Sequence, residues 1–188
     1  YIAAGISSDH EATSSEEVLE KLRLGMKMQI RQGSFAKDLE NIFADLDLDG
    51  IDTRNIIMAS DDRNPIDLKE QGHLDYTYRL LLKSGINPLE AIQMLTLNTA
   101  IHIGLQDVIG GIAPGKNADL VVIDNLEDFE VKSVIADGKI IYNQGELIWK
   151  EQSKTYPDFI LDSLRNLQVP SVEDLKIATN KEKETIVR

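Results

Sequence analysis

The sequence predicts an α/β fold followed by a small β module. Three observations carry this. Apolar runs at 1–8 and 55–60, of the kind expected of strands buried on both faces, alternate with stretches of helical periodicity. The connections are long enough for right-handed parallel crossovers. From about Asp107 the texture changes to turns and short alternating runs.

The elements follow in order. "YIAAGISS" reads as a buried strand entered partway, which suggests a piece of something longer. Thr13 with Glu16, or Ser14 with Glu17, fits a capping box, and Val18, Leu19 and Leu22 continue at helical spacing towards a stop at Gly25. In "MKMQIR", Met26, Met28 and Ile30 alternate with Lys27, Gln29 and Arg31, the mark of a strand, with a continued helix as the alternative. "QGS" is a turn. Phe35, Leu39, Ile42, Phe43 and Leu46 then fall at helical spacing, and "NIIMAS" is a further strand. Residues 64–85 read as a loop and one helix, and residues 87–105 as another, with Pro88 in its first turn. "ADLVVID", "VKSVIAD" and "KIIYNQ" are strands, with Asp137-Gly138 as a hairpin turn. "YPDFILDSLRNL" suggests a short helix, and "NKEKETIVR" ends as if a strand were starting. The expected divisions are 1–106, 107–150 and 151–188.

Composition narrows the function. The net charge of −12 argues against a nucleic-acid surface and against anionic membranes. The absence of cysteine removes disulfides, thiolate metal sites and the paired-cysteine zinc deaminases. No run approaches the ~18 apolar residues of a membrane span. The first residues lack the basic region and apolar core of a signal peptide.

Two stretches share one layout. "SSDHE" at 7–11 and "IIMASDDRNP" at 56–65 both end an apolar run with a hydroxyl residue and acids before a helix entry. In parallel sheets the working groups gather at the carboxyl ends of the strands. His10, Asp61 and Ser34 all fall at such ends. Read alone, His10 serves a structural role as readily as a ligand's, and Asp61 and Asp62 suit a turn before Pro65. Together, imidazole and carboxylate point to a divalent metal around an activated water. His10 and Asp61 make two ligands where most such sites take three or more. His102 lies too far along its helix to complete the set. His73 suits a substrate contact or a solvated helix start equally well. "DLDLDGID" imitates a calcium loop, but its twelfth position is Ile56, where a bidentate Glu is needed. "GGIAPGK" lacks the strand-before and helix-after context of a phosphate cradle.

The blocks "SDHEATSSEEVLEKLRLGM", "RQGSFAKDL", "ASDDRNP" and "EQGHLDYTYRLLLKSGINPLEAIQMLTLNTAIHIGL" resemble consecutive blocks of the bacterial and archaeal adenine deaminases. "GGIAPGKNADLVVID" resembles the segment where amidohydrolase-superfamily chains leave the catalytic barrel. The resemblance implies the C-terminal part of a (β/α)8 TIM-type barrel, strands six to eight, followed by a small β-sandwich-type module. It implies a cytoplasmic, homo-oligomeric purine-salvage enzyme that deaminates adenine to hypoxanthine and ammonia at a binuclear Mn(2+) or Fe(2+) centre. Under it, His10 and Asp61 are metal ligands and Asp61 also shuttles the proton. Glu11 is a second acid/base candidate, and Asp62, His73 and Ser34 are substrate contacts. The family's HxH pair, bridging acid and fifth-strand histidine are absent from this chain and would lie upstream of Tyr1. The alternatives are another amidohydrolase acting on a cyclic amide or aminopurine, and a noncatalytic fragment.

Overall fold

A computed structural model describes residues 1–46, 50–149, 155–165 and 167–176. The chain forms two compact units, Tyr1–Trp149 and Lys150–Arg188.

The first unit is built on a parallel three-stranded sheet, with strands β1 (Ser8–Asp9), β2 (Lys27–Arg31) and β3 (Ile56–Ala59) in that order. Helix α1 (Ser15–Arg23) joins β1 to β2, and α2 (Asp38–Asp45) lies between β2 and β3. Ser14 caps α1 by accepting from the Glu17 amide at 3.3 Å, as the capping box predicts. Glu16 and Glu17 then sit in its first turn and Lys21 and Arg23 in its last, each matching the helix dipole. In β2 the alternation holds: Met28 and Ile30 are buried while Lys27, Gln29 and Arg31 are only half-buried. Val18 of α1, Leu39 and Ile42 of α2, and Ile56 of β3 complete the centre of the core.

Four expectations are corrected. Residues 1–8 do not form a buried strand. Ile2–Ala4 make an exposed 3-10 turn closed by Gly5, and only Ser8–Asp9 pair with β2. β1 is an edge strand, so among the described residues nothing covers the apolar run that precedes it. Phe35 does not join the helical stripe; it precedes α2 and is 88% exposed. Residues 64–85 hold two helices, α3 (Pro65–Glu70) and α4 (Leu74–Lys83). Gly72 separates them at φ 104, and a Cβ there would lie 2.4 Å from Asp75 Oδ2. Residues 87–105 are likewise divided, into α5 (Pro88–Leu95) and α6 (Leu97–His102). They part at Thr96, whose hydroxyl turns back to the Ile92 carbonyl at 2.7 Å.

α6 is fastened at the amino end of β3. The buried Asn98 amide donates to the Thr53 and Ile56 carbonyls at 3.0 and 2.9 Å.

Beyond α6, β4 (Leu120–Ile123), β5 (Val131–Ala136), β6 (Lys139–Asn143) and β7 (Glu146–Leu147) form one antiparallel sheet in chain order. Asp137 and Gly138 both take positive φ in the β5–β6 hairpin, as the dipeptide predicts. A second layer facing this sheet is absent among the described residues, and Val121, Val122 and Ile140 are about half exposed. Tyr78 of α4 ties the module in: its hydroxyl donates to the Leu126 carbonyl at 2.6 Å and its ring lies 4.2 Å from Phe129.

In the second unit, α7 (Asp158–Arg165) confirms the short helix, and Ser171 and Asp174 close a turn through mutual hydrogen bonds. The strand expected at the C-terminus lies outside the described residues, as do Asp47 and Asp49 of the calcium-loop imitation.

Candidate active-site edge

Because β1, β2 and β3 are parallel, their carboxyl ends share one edge of the sheet. β1 delivers Asp9, His10 and Glu11 there, β2 delivers Arg31, and β3 delivers Asp61 and Asp62 through the Ser60 turn.

Arg31 gathers this edge. Its NH1 donates to Glu11 Oε2 at 2.8 Å and its Nε to Asp38 Oδ2 at 2.9 Å. Burial opposes the guanidinium charge, but the Asp38 hydrogen bond and the charges of Asp38, Glu11 and Asp61 outweigh it and raise its pKa. His10 Nε2 lies 3.1 Å from the other oxygen of Glu11, and both side chains are more than half exposed. His10, Glu11, Arg31 and Asp61 therefore form one electrostatic neighbourhood. Asp61 is exposed and left-handed, at φ 46, a conformation that Asp tolerates better than most residues.

Asp62 faces differently. Its carboxylate accepts the amides of Ser34, Phe35 and Ala36 at 3.1, 2.9 and 3.5 Å. The slight burial there raises its pKa, and these amides outweigh that and bring it below the usual carboxylate value. Gly33 makes the approach possible, because a Cβ at that position would stand 1.8 Å from Asp62 Oδ1. Ser34 Oγ accepts the Asn64 amide at 3.0 Å, on the same seam. His73 stands at the N-cap of α4, its side chain exposed and making no cap hydrogen bond, and its backbone amide donates to Asp75 Oδ1 at 2.7 Å.

The edge thus unites His10, Glu11 and Asp61, joins Asp62 to Ser34, and leaves His73 on the α3–α4 connection. Sequence reasoning missed two residues. Arg31 passed as the polar half of an alternating strand; its place as the last residue of β2 was the available signal. Arg63, inside "SDDRNP", donates to the Gly33 and Gly72 carbonyls and to Gln71 Oε1, and its guanidinium lies 4.7 Å from the Tyr76 ring centre. Nothing in the spacing distinguishes it from a solvated arginine.

The donor types at this edge, imidazole and carboxylate, suit a divalent cation. Their number does not: the described residues contain no group of three or more His, Asp or Glu side chains able to hold a metal. A concavity of about 310 Å³ lies elsewhere, towards the amino end of β3, lined by Leu19, Leu22, Ile51 and Asn55 among others. It holds none of the candidate residues. No helix among the described residues is long and apolar enough to cross a membrane.

Known proteins place this edge in context. The chain is 40% identical over 174 residues to the adenine deaminase of Staphylothermus marinus, which covers 93% of the chain and 29% of that protein. It is 44% identical over 188 residues to the adenine deaminase of Methanothermobacter thermautotrophicus, covering 99% and 32%. The chain therefore spans about three tenths of the length of these relatives. Among solved structures, a β-aspartyl dipeptidase from Fervidobacterium islandicum AW-1 has a TM-score of 0.57 at 22% identity, over 74% of this chain and 38% of that one. An enamidase described as a member of the amidohydrolase superfamily has a TM-score of 0.57 at 21% identity, over 72% and 39%. These two carry the fold alone. The model of the amidohydrolase family matches residues 37–141, more than half of the chain, from the helix behind the Arg31–Asp38 pair into the antiparallel module, and the chain belongs to that family.

Proposed function

We propose that the whole protein of which this chain forms part hydrolyses adenine to hypoxanthine and ammonia. The observation that carries the reading is the shared carboxyl edge, where parallel strands bring His10, Glu11 and Asp61 around Arg31. The names of the similar deaminases support adenine over other substrates of the family.

In this reading β1, β2 and β3 are strands six to eight of a (β/α)8 barrel, residues 1–106 belong to that barrel, residues 107–150 to the small β domain and 151–188 to the start of a C-terminal domain. Strands from the rest of the protein would cover the half-exposed Val121, Val122 and Ile140 as the second layer of a β-sandwich. The whole enzyme is a cytoplasmic homo-oligomer of purine salvage.

His10 and Asp61 are this chain's contribution to a manganese or ferrous centre whose other ligands lie elsewhere in the protein. The metal, when bound, supplies Lewis-acid activation of a water. Asp61 takes the proton of the attacking water at a carboxylate oxygen and returns it to the ring nitrogen or to the leaving amine. Glu11 holds His10 in orientation through the 3.1 Å contact, and Arg31 holds Glu11 in turn. Ser34 and His73 contact the substrate from the loops beside the edge.

The test is to purify the full-length protein, supply manganese or ferrous iron, and follow adenine loss by absorbance together with ammonia release. Metal-dependent production of hypoxanthine supports the reading. Turnover of a cyclic amide, with adenine untouched, would replace it.

A further inference from the structure

The loop after β2 exposes an aromatic ring on an unusually well-tied support. Phe35 is 88% exposed, although its spacing suits the buried stripe of α2. The turn beneath it is not slack. Gly33 donates to the Ala36 carbonyl at 2.8 Å, Gln32 bridges to Lys37, and Arg63 NH1 reaches the Gly33 carbonyl at 3.4 Å. Asp62 takes the amides of Ser34, Phe35 and Ala36, and Ser34 Oγ fixes Asn64.

Two physical points follow. Leaving a Phe ring in water forgoes the burial that its neighbours Leu39 and Ile42 obtain. The Asp62 clamp also sets the Phe35 amide 2.9 Å from the residue that follows Asp61, so the ring's backbone is fixed beside the candidate proton carrier. A tied turn whose backbone adjoins the Asp61–Asp62 loop, and which leaves an aromatic ring exposed, suits a flat, apolar-faced ligand.

We propose that Phe35 is a substrate-stacking residue that covers one face of the heteroaromatic ring during deamination, and that Asp62 is the positioning residue that holds it there. The inference rests on the adenine reading above. Base stacking on an aromatic side chain tolerates many bases, so Phe35 supplies affinity for a ring rather than a choice among rings.

The experiment uses the full-length, metal-loaded enzyme. Phe35→Ala should raise KM for adenine roughly 10-fold, a factor in keeping with the loss of one base–aromatic stack, with kcat changed far less. Phe35→Trp should keep KM near that of the parent, and Phe35→Leu should fall between. Asp62→Ala should raise KM in the same direction, although it removes no aromatic group. If the parent deaminates adenine and Phe35→Ala leaves KM unchanged, the stacking role is overturned while the deaminase reading stands. Stacking is equally overturned if Phe35→Ala only lowers the thermal midpoint, because the ring then packs against the rest of the protein. If the parent leaves adenine untouched, both fail together.

Discussion

Arg31 pairs with two carboxylates and lies within the field of a third. Asp38 neutralises the guanidinium from the α2 side and Glu11 from the β1 side, while Asp61 feels its charge across the edge. A carboxyl group at that strand end suits a base, so Asp61→Asn in the full-length enzyme should lower kcat by at least about 100-fold, within the range of general acid–base catalysis. Circular dichroism should be unchanged. Activity within tenfold of the parent, at full metal content, would remove Asp61 from the mechanism. A second prediction concerns Asp9, which accepts from Lys21 Nζ at 2.9 Å and from the Ala12 amide at 3.2 Å. Partial burial raises its pKa, but the Lys21 hydrogen bond and charge outweigh this and leave it lowered. A depressed folded pKa gives stability that is present above the ordinary carboxylate value, near pH 4, and lost as pH falls through the folded value. Asp9→Asn should therefore cost about 0.5–1 kcal/mol at pH 7, discounted for the partial exposure of both groups, and progressively less at acid pH below the ordinary carboxylate value. Denaturant melts of parent and variant at neutral and acid pH check this; a gap that persists undiminished at low pH would assign the effect to packing.

At the scale of elements, local rules were legible wherever one side chain decides the outcome. Ser14 capped α1, the alternation at 26–31 made β2, and Asp137-Gly138 turned the β5–β6 hairpin. What the sequence hid were effects that depend on a distant partner. The apolar run at 1–8 needed neighbours on both sides to become a buried strand and had one. Phe35 had the spacing of a core residue, but Asp62, 27 positions away, took its amide into a turn. Gly72 and Thr96 divided two predicted helices through backbone conformations that periodicity does not encode. The candidate site followed the same rule. The edge positions of His10 and Asp61 could be read from strand ends, whereas the roles of Arg31 and Arg63 exist only through contacts. The Gly33–Asp62 seam makes a prediction at this scale. Gly33→Ala should destabilise by about 1–3 kcal/mol, the usual range for overpacking. In an Asp62→Ala background the same change should cost much less, because the atom 1.8 Å away is gone and the Ser60 carbonyl at 3.1 Å remains. Thermal melts of the four proteins test it; simple additivity would show that the two positions do not compete for space.

For the whole molecule, every buried hydrophobic among the described residues lies between Ala12 and Ala100. The antiparallel module contributes none, and it is joined to this core through Tyr78, Leu126 and Phe129. The three-stranded sheet presents open edges at β1 and β3. Residues 1–188 alone should therefore show no adenine deamination at any manganese concentration, since His10 and Asp61 fall short of a three-ligand shell. The isolated chain should also bind a fluorescent apolar dye, as exposed apolar surface does. Absorbance assays on the purified chain check the first point, and metal-dependent turnover free of host enzyme would show that these two ligands suffice.

The contact between Gly33 and Asp62 also constrains how such a chain can change over generations. Any side chain at 33 collides with the carboxylate at 62, while a smaller residue at 62 leaves 33 as it was. The pair is therefore rewritten at lower cost in one order: position 62 shrinks first, then position 33 grows. Asp62→Asn does not open the path, because the amide occupies the same space. A lineage that loses the Asp62 clamp first relieves the tightest contact at 33 and keeps the milder one with the Ser60 carbonyl, whereas one that keeps the clamp faces both.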